Sequence, residues 1–355
     1  MTLGQRKRLL LTNDDGPPGP ASPYLASFYD KLLALDWVDK VHVVIPSSQK
    51  SWIGTAQSAS SITFGPALND SLGFHITEIT RGKYFYPTKA SNGLEGEYSS
   101  TSRPLQGDEF AEWILLDGTP STCVNVALHN LFPSQIDLVI SGPNLGRNVG
   151  YAGFNKRTTD PSADIGYISL LHQFACIIFI RLPAAFALSS GTLGAALDAA
   201  LAKTRAIAVS YGTVIHPTPP TFAPPAHQLA CDIITRLVSD DSSFKSADLY
   251  NVNIPLVEGL LSDEGLKVAW TFMWRNHYGR LFKTVPANDG GPLSFKFAPS
   301  MDSLIQPAES DVPVGSDGYA MMKGWASITP LQASFSEPSD IHDMALEDRS
   351  WKVRL

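Results

Sequence analysis

The feature that most restricts the fold is an apolar strand that ends in a polar loop, because this pattern occurs several times along the chain. Leu9, Leu10 and Leu11 form the first apolar run, which leads into Asn13-Asp14-Asp15-Gly16. Similar runs lie at residues 41–46, 113–116, 137–141, 206–210 and 250–255. Uninterrupted apolar strands are typical of parallel sheets buried on both faces, and the segments between several of them have helical spacing. The sequence therefore predicts an α/β protein with a mostly parallel sheet flanked by helices.

Asp14 and Asp15 are adjacent carboxylates at the end of the first predicted strand. Open α/β sheets place their active sites at the carboxyl ends of their strands. Two neighbouring carboxylates repel each other at neutral pH, so a site that presents both needs a cation, and a hard divalent metal supplies one. The alternative is that residues 13–16 are only a turn, since Asn, Asp and Gly are common turn formers.

Charge and cysteine content argue against several classes of protein. The net charge is −7 and the only basic cluster is Arg6-Lys7-Arg8, so the chain lacks the large basic surface that duplex-binding proteins use to contact phosphates. Its three cysteines are too few and too scattered for a disulfide framework or a zinc cluster. The apolar run after the basic cluster is too short for a signal peptide. We therefore expect a cytoplasmic protein that binds neither duplex nucleic acid nor a membrane.

Two regions depart from the parallel pattern. Between the second and third apolar runs, the sequence predicts two or three short antiparallel strands and a long surface excursion at residues 89–106. Further on, residues 268–274 and 278–282 predict a hairpin arm, and residues 326–330 predict a last strand. Because the arm is dense in Trp, Phe and Met, we expect it to contact a partner subunit in a homo-oligomer.

Oxygen-bearing side chains follow several of the predicted strands. They belong to Asp14, Asp15, Ser51 and Asn144. Carboxylate, hydroxyl and amide oxygens with no Cys or His among them are typical ligands of Mg²⁺, Mn²⁺ or Ca²⁺. Such an ion polarises a phosphoryl oxygen and lowers the pKa of a bound water, and nearby Gly-rich loops and helix starts offer the N–H groups that a phosphate needs.

Six motifs, spread over most of the chain, occur together in one order. They are residues 10–16, 46–51, 117–124, 140–146, 190–196 and 251–255. As a set they resemble the survival protein SurE family of phosphatases and nucleotidases, in its larger fungal-type form. The resemblance implies one domain with a Rossmann-like sheet, a core over residues 8–255, and a C-terminal β-hairpin arm and last strand over residues 256–331. It also implies a homodimer or tetramer in which the arm is swapped.

The resemblance further implies hydrolysis of phosphomonoesters such as nucleoside monophosphates, with Mg²⁺ or Mn²⁺ as the ion and an activated water as the nucleophile. The metal ligands of the family match Asp14, Asp15, Ser51 and Asn144, of which the two carboxylates match the catalytic residues. The phosphate-side loops match Asn148, Ser190, Gly191 and Thr192. For Asn148 and Thr192, helix capping is the alternative. For the whole protein, the alternatives are a broad-specificity acid phosphatase and a catalytically inactive phosphate- or nucleotide-binding protein.

Residues 151–183 interrupt the family pattern. Joining Gly150 directly to Ala184 restores the short loop that the pattern expects. We therefore predict an insertion, either genuine or an intron translated in error, that is not part of the enzyme's framework. Its apolar part is broken by His172 and Gln173 and is too short for a membrane span. A buried helix is the alternative.

Overall fold

A computed structural model of the chain describes residues 6–50, 62–63, 75–76, 79–146, 190–213, 218–240, 242–275, 280, 282–285, 293–297 and 309–335. These residues form a ten-stranded mixed sheet, helices that pack on it, and two separate two-stranded ribbons.

The strands and helices follow one another along the chain in an α/β order. The strands are β1 (Lys7–Thr12), β2 (Val38–Pro46), β3 (Ile62–Thr63), β4 (His75–Ile76), β5 (Gly82–Pro87), β6 (Gly96–Ser99), β7 (Trp113–Leu116), β8 (Leu138–Leu145), β9 (Ala206–Thr213), β10 (Leu249–Leu256), β11 (Val268–Trp270), β12 (Phe282–Val285), β13 (Ser294–Phe297) and β14 (Ala326–Leu331). The α-helices are α1 (Leu25–Leu33), α2 (Pro120–Val126), α3 (Gly191–Leu201), α4 (Ala223–Ser239) and α5 (Asp317–Met322).

The large sheet has the strand order β11-β14-β10-β9-β8-β1-β2-β7-β5-β6. From β10 to β7 all neighbouring strands are parallel, whereas β14 and β5 run antiparallel to this block. The predicted α/β fold with a mostly parallel sheet is therefore confirmed. Because β1 lies between β2 and the much later β8, its carboxyl end opens where the strand order reverses, the usual place for a binding site.

Helices cover both faces of the sheet because alternate residues of the central strands are apolar on each side. Leu9 and Leu11 of β1 belong to the apolar cluster that includes α1 and α4. Leu10 belongs to the cluster on the opposite face, which includes α2 and α3. In the described part of the chain, no helix has both the length and the apolar character needed to cross a membrane.

The segment at residues 89–106 is part of the sheet rather than only a surface excursion. It contains β6, which pairs antiparallel with β5 and which was not predicted within this excursion. Arg103 contacts Glu109 at 2.7 Å and Glu97 at 3.0 Å, and its guanidinium lies 3.9 Å from the centre of the Tyr86 ring. These side-chain contacts tie the segment to the sheet edge.

The predicted hairpin arm exists, but the predicted pairing of its strands is wrong. β11 joins the large sheet parallel to β14, with Val268 opposite Ala326. The arm is instead formed by β12 and β13, with Phe282 opposite Phe297. Of the two predicted strands, residues 268–274 contain β11, whereas residues 278–282 share only Phe282 with β12, and β13 was not predicted.

Candidate active site

The loop after β1 is a tight turn closed by its own asparagine. The Asn13 Nδ2 group donates to the Gly16 carbonyl oxygen at 2.8 Å, and the Gly16 N–H donates to Asn13 Oδ1 at 3.1 Å. Asn13 Nδ2 also donates to Ser22 Oγ at 2.9 Å. The predicted turn is therefore present and is made by Asn13 and Gly16, whereas the role of Asp14 and Asp15, which lie within it, stays a prediction.

The loop after β2 packs directly against this turn. Gly16 has φ +81°, and a Cβ there would lie 3.0 Å from the Ser48 carbonyl carbon. The Lys50 N–H donates to the Asp14 carbonyl oxygen at 2.7 Å. In the same loop, the Gln49 side chain hydrogen-bonds the Asp15 carboxylate, a contact that the sequence did not predict.

The beginning of α3 holds Asp14. Thr192 Oγ1 donates to Asp14 Oδ1 at 2.9 Å, and Thr192 is fully buried. A Cβ on Gly191 would lie only 2.6 Å from Asp14 Cβ, so only glycine allows this approach. The small residue at position 191 therefore lets the start of α3 lie directly against Asp14.

The end of β8 holds Asp15. The Leu145 N–H donates to Asp15 Oδ2 at 2.9 Å. Asn144, the preceding residue, is aligned with Ser210 of β9 after a register shift in β8. Gly142 sits at that shift with φ +118°, and a Cβ there would lie 2.1 Å from the Val209 carbonyl oxygen. The predicted ligand Asn144 therefore lies at the strand end that binds Asp15.

Burial dominates the electrostatics of the two carboxylates. Asp14 and Asp15 are each 4% exposed. Burial raises the pKa of both above the ordinary value of 3.8, and for Asp15 the charge of Asp14 raises the pKa further. Among the described residues, neither carboxylate forms an ion pair. A buried acidic pair of this kind favours a bound cation as its counter-charge.

The donor set fits a hard divalent metal. Within the described residues, no three His, Cys, Asp or Glu side chains form a group able to hold a metal ion. Two carboxylates with amide oxygen nearby are instead typical of an oxygen-rich site for Mg²⁺ or Mn²⁺.

The remaining predicted site residues have mixed outcomes. Ser190 caps α3, since its hydroxyl accepts the Leu193 N–H at 3.1 Å. Gly191 and Thr192 adjoin Asp14, as described above, and contact of these three residues with phosphate stays a prediction. Ser51 and Asn148 lie outside the described residues.

Comparison with known proteins agrees with this geometry. The family profile described as "Survival protein SurE" matches residues 9–156 and 183–280. The chain belongs to the SurE family. The break in the SurE match falls within the predicted insertion at residues 151–183, which itself stays a prediction.

Individual relatives cover most of the chain. The 5'-nucleotidase SurE of Geobacter sulfurreducens is 27% identical over 91% of this chain and 87% of its own length. The probable tubulin-tyrosine ligase PBY1 of Saccharomyces cerevisiae is 29% identical over 92% of this chain, but the chain spans only 41% of that relative. The crystal structure of the SurE protein from Aquifex aeolicus has the same fold, with a TM-score of 0.52, 20% identity, and coverage of 93% of this chain and 94% of that one.

Proposed function

We propose that the protein is a divalent-metal-dependent phosphomonoesterase that hydrolyses nucleoside monophosphates or other small phosphate monoesters. The observation that carries this proposal is the buried pair Asp14 and Asp15, which has no cationic side chain paired with it in the described residues. Membership of the SurE family and the name of the Geobacter relative, a 5'-nucleotidase, support the same activity.

Asp14, Asp15 and Asn144 would hold the metal, with Ser51 as a further proposed ligand. When bound, Mg²⁺ or Mn²⁺ offsets the carboxylate charge, polarises a phosphoryl oxygen and makes a water more acidic. The protein orients the carboxylates before substrate arrives, because Leu145 and Thr192 each donate a hydrogen bond to one of them.

The start of α3 is the proposed phosphate side of the site. Gly191 brings the first turn of this eleven-residue helix against Asp14. The free N–H groups at a helix start favour an anion, so a phosphate placed near the carboxylates would lie close to compensating positive potential. Phosphate contacts by Ser190, Gly191, Thr192 and Asn148 are part of this proposal.

The name of the yeast relative does not support a ligase activity for this chain. The chain spans 41% of that protein, so the printed name applies to a much longer polypeptide. The alternatives that the experiment must separate are instead a broad-specificity acid phosphatase and an inactive phosphate- or nucleotide-binding protein.

The test is a substrate panel on metal-stripped protein. Nucleoside monophosphates and p-nitrophenyl phosphate are assayed with EDTA, Mg²⁺ or Mn²⁺, and phosphate release is measured for the wild type and for Asp15→Asn. Asp117→Asn is the matched control, because Asp117 follows β7 but is exposed and accepts a hydrogen bond from Ser47. We expect turnover that EDTA and Asp15→Asn abolish and Asp117→Asn retains. Absence of turnover with every metal, despite phosphate binding, would favour the inactive binding protein.

We also propose that the protein is a homo-oligomer that uses the β12–β13 arm. Phe282 is 52% exposed and Phe295 is 58% exposed. The register places Phe295 opposite Thr284, two residues from Phe282, so both aromatic side chains lie on one face of the ribbon. An exposed aromatic face of this kind favours a protein partner, and a second copy of the chain is the simplest one.

A further inference from the structure

We propose that Thr192 is a positioning residue that holds the Asp14 carboxylate in the orientation that binds the divalent cation. This inference rests on the proposed function, and it gives Thr192 a role other than phosphate contact. The contact that carries it is the hydrogen bond from Thr192 Oγ1 to Asp14 Oδ1 at 2.9 Å, across 178 residues of sequence.

The contact has the properties of an orienting interaction. Thr192 is 0% exposed and Asp14 is 4% exposed, so water competes little for either group. An ionised carboxylate can only accept, and the threonine hydroxyl supplies a proton to one of its two oxygens. A hydrogen bond to a charged group in a buried place is stronger than one between neutral groups, and it fixes the plane of the carboxylate.

The two hydroxyl groups at the start of α3 have different partners. The Ser190 hydroxyl accepts a hydrogen bond from the Leu193 N–H and so caps the beginning of the helix. Thr192, two residues later, directs its hydroxyl to Asp14 instead. The first is a local contact that any helix start can use, whereas the second joins α3 to the loop after β1.

The backbone around Thr192 leaves it little room to move away. A Cβ on Gly191 would lie 2.6 Å from Asp14 Cβ and 3.1 Å from Pro120 Cγ, so the helix start is packed between the β1 loop and the start of α2. Thr192 is therefore a fixed donor rather than a side chain that adapts to the carboxylate.

Asp15 is oriented by separate groups, the Leu145 N–H and the Gln49 side chain. Loss of the Thr192 hydroxyl should therefore affect one carboxylate and leave the other in place. A carboxylate held in advance binds a cation more tightly than a mobile one, and loss of such a supporting hydrogen bond typically weakens metal affinity by about 10- to 100-fold.

The experiment measures Mn²⁺ binding to EDTA-stripped full-length protein by isothermal titration calorimetry. Thr192→Val keeps the shape and removes the donor, and Thr192→Ser keeps the donor and removes the methyl group. Thr329→Val is the matched control, because Thr329 is 1% exposed and its Oγ1 lies 2.7 Å from that of Thr271 in the sheet. Melting temperatures without metal report on folding, and kcat and KM for a phosphomonoester are measured in parallel.

We expect Thr192→Val to weaken Mn²⁺ binding by about 10-fold or more, and Thr192→Ser and Thr329→Val to stay within about 3-fold of the wild type. Wild-type Mn²⁺ affinity in a folded Thr192→Val variant would overturn the inference and leave the proposed function intact. If Thr192→Val does not fold, Thr192→Ala, which also removes the donor, decides: Mn²⁺ affinity weakened relative to Thr192→Ser supports the inference, and affinity equal to that of Thr192→Ser overturns it. A wild-type protein that neither binds Mn²⁺ nor turns over substrate would instead overturn the proposed function.

Discussion

Replacing Asp14 with asparagine should have opposite effects on activity and on stability. Asp14→Asn removes a proposed ligand and its charge, so we expect metal-dependent turnover to be abolished. The same change removes a carboxylate that burial makes costly to ionise. In the absence of metal, the variant should therefore be more stable than the wild type.

The size of this gain follows from the pKa of Asp14. Burial raises that pKa from 3.8 to about 6. A tenfold change in proton affinity is worth about 1.4 kcal/mol, so ionising Asp14 in the folded protein costs about 3 kcal/mol. Because the folded pKa lies above the unfolded one, the cost is absent below pH 3.8, grows as the pH rises, and is complete above about pH 6.

The assay is urea unfolding in EDTA at pH 4 and pH 8, together with turnover at saturating Mn²⁺. We expect Asp14→Asn to be more stable than the wild type by about 3 kcal/mol at pH 8 and by little at pH 4. Asp117→Asn, which changes an exposed carboxylate at another strand end, should change neither quantity. An Asp14→Asn variant that is less stable than the wild type at pH 8 would refute the burial argument. Turnover within a few-fold of wild type would refute the assignment of Asp14 as a metal ligand.

Four further predictions concern other parts of the molecule. Burial lowers the pKa of His227 from 6.5 to about 4, so the unfolded chain binds a proton at a higher pH than the folded protein does. The free energy of unfolding should therefore fall by up to about 3 kcal/mol as the pH drops from 6.5 to 4, and this decrease should be missing in urea unfolding of His227→Gln. Gly191→Ala should lower turnover strongly in a phosphate-release assay, because the new Cβ would lie 2.6 Å from Asp14 Cβ. Phe295→Ser should shift sedimentation towards the monomer, because Phe295 is 58% exposed on the arm. Deletion of residues 151–183 should improve solubility and retain turnover.

Each of these predictions has its own control or contrary outcome. A stability difference between wild type and His227→Gln that does not change with pH would contradict the prediction for His227. Gly19→Ala should leave turnover unchanged, since a Cβ there meets nothing within 4 Å, and equal effects of the two glycine variants would contradict the second. Leu94→Ser, at 52% exposure away from the arm, should not change sedimentation. A deleted protein that fails to fold, beside a soluble and active full chain, would show that residues 151–183 are structural.

The sequence predicted the parallel strands well because buried strands are uninterrupted runs of apolar residues. The apolar runs correspond to β1, β2, β7, β8, β9 and β10. The Asp14–Asp15 pair was predicted for the same reason, since it directly follows β1. The local sequence pattern is sufficient to predict a feature that depends on a single segment of the chain.

Contacts between distant segments were not predictable in this way. A serine shortly before a helix is typically its cap, but α1 begins at Leu25 and the Ser22 hydroxyl accepts the Asn13 side chain instead. Thr192 was assigned to the phosphate side, and the hydrogen bond from its hydroxyl to Asp14 was not predicted. Gln49 was passed over altogether. A short polar side chain has many possible partners, and only the folded chain decides among them.

The position of β1 in the sheet has a consequence for how the protein is made. β1 is synthesised before β8, so one of its edges stays unpaired until β8 follows, and Asp14 meets Thr192 only after a further 178 residues. At about 5–20 residues per second, synthesis of that stretch takes roughly 10–35 seconds. During this interval an apolar strand with an open edge is a template for aggregation, so we expect the nascent chain to depend on chaperones. The Asp14 carboxylate also lacks its Thr192 donor until α3 has been synthesised.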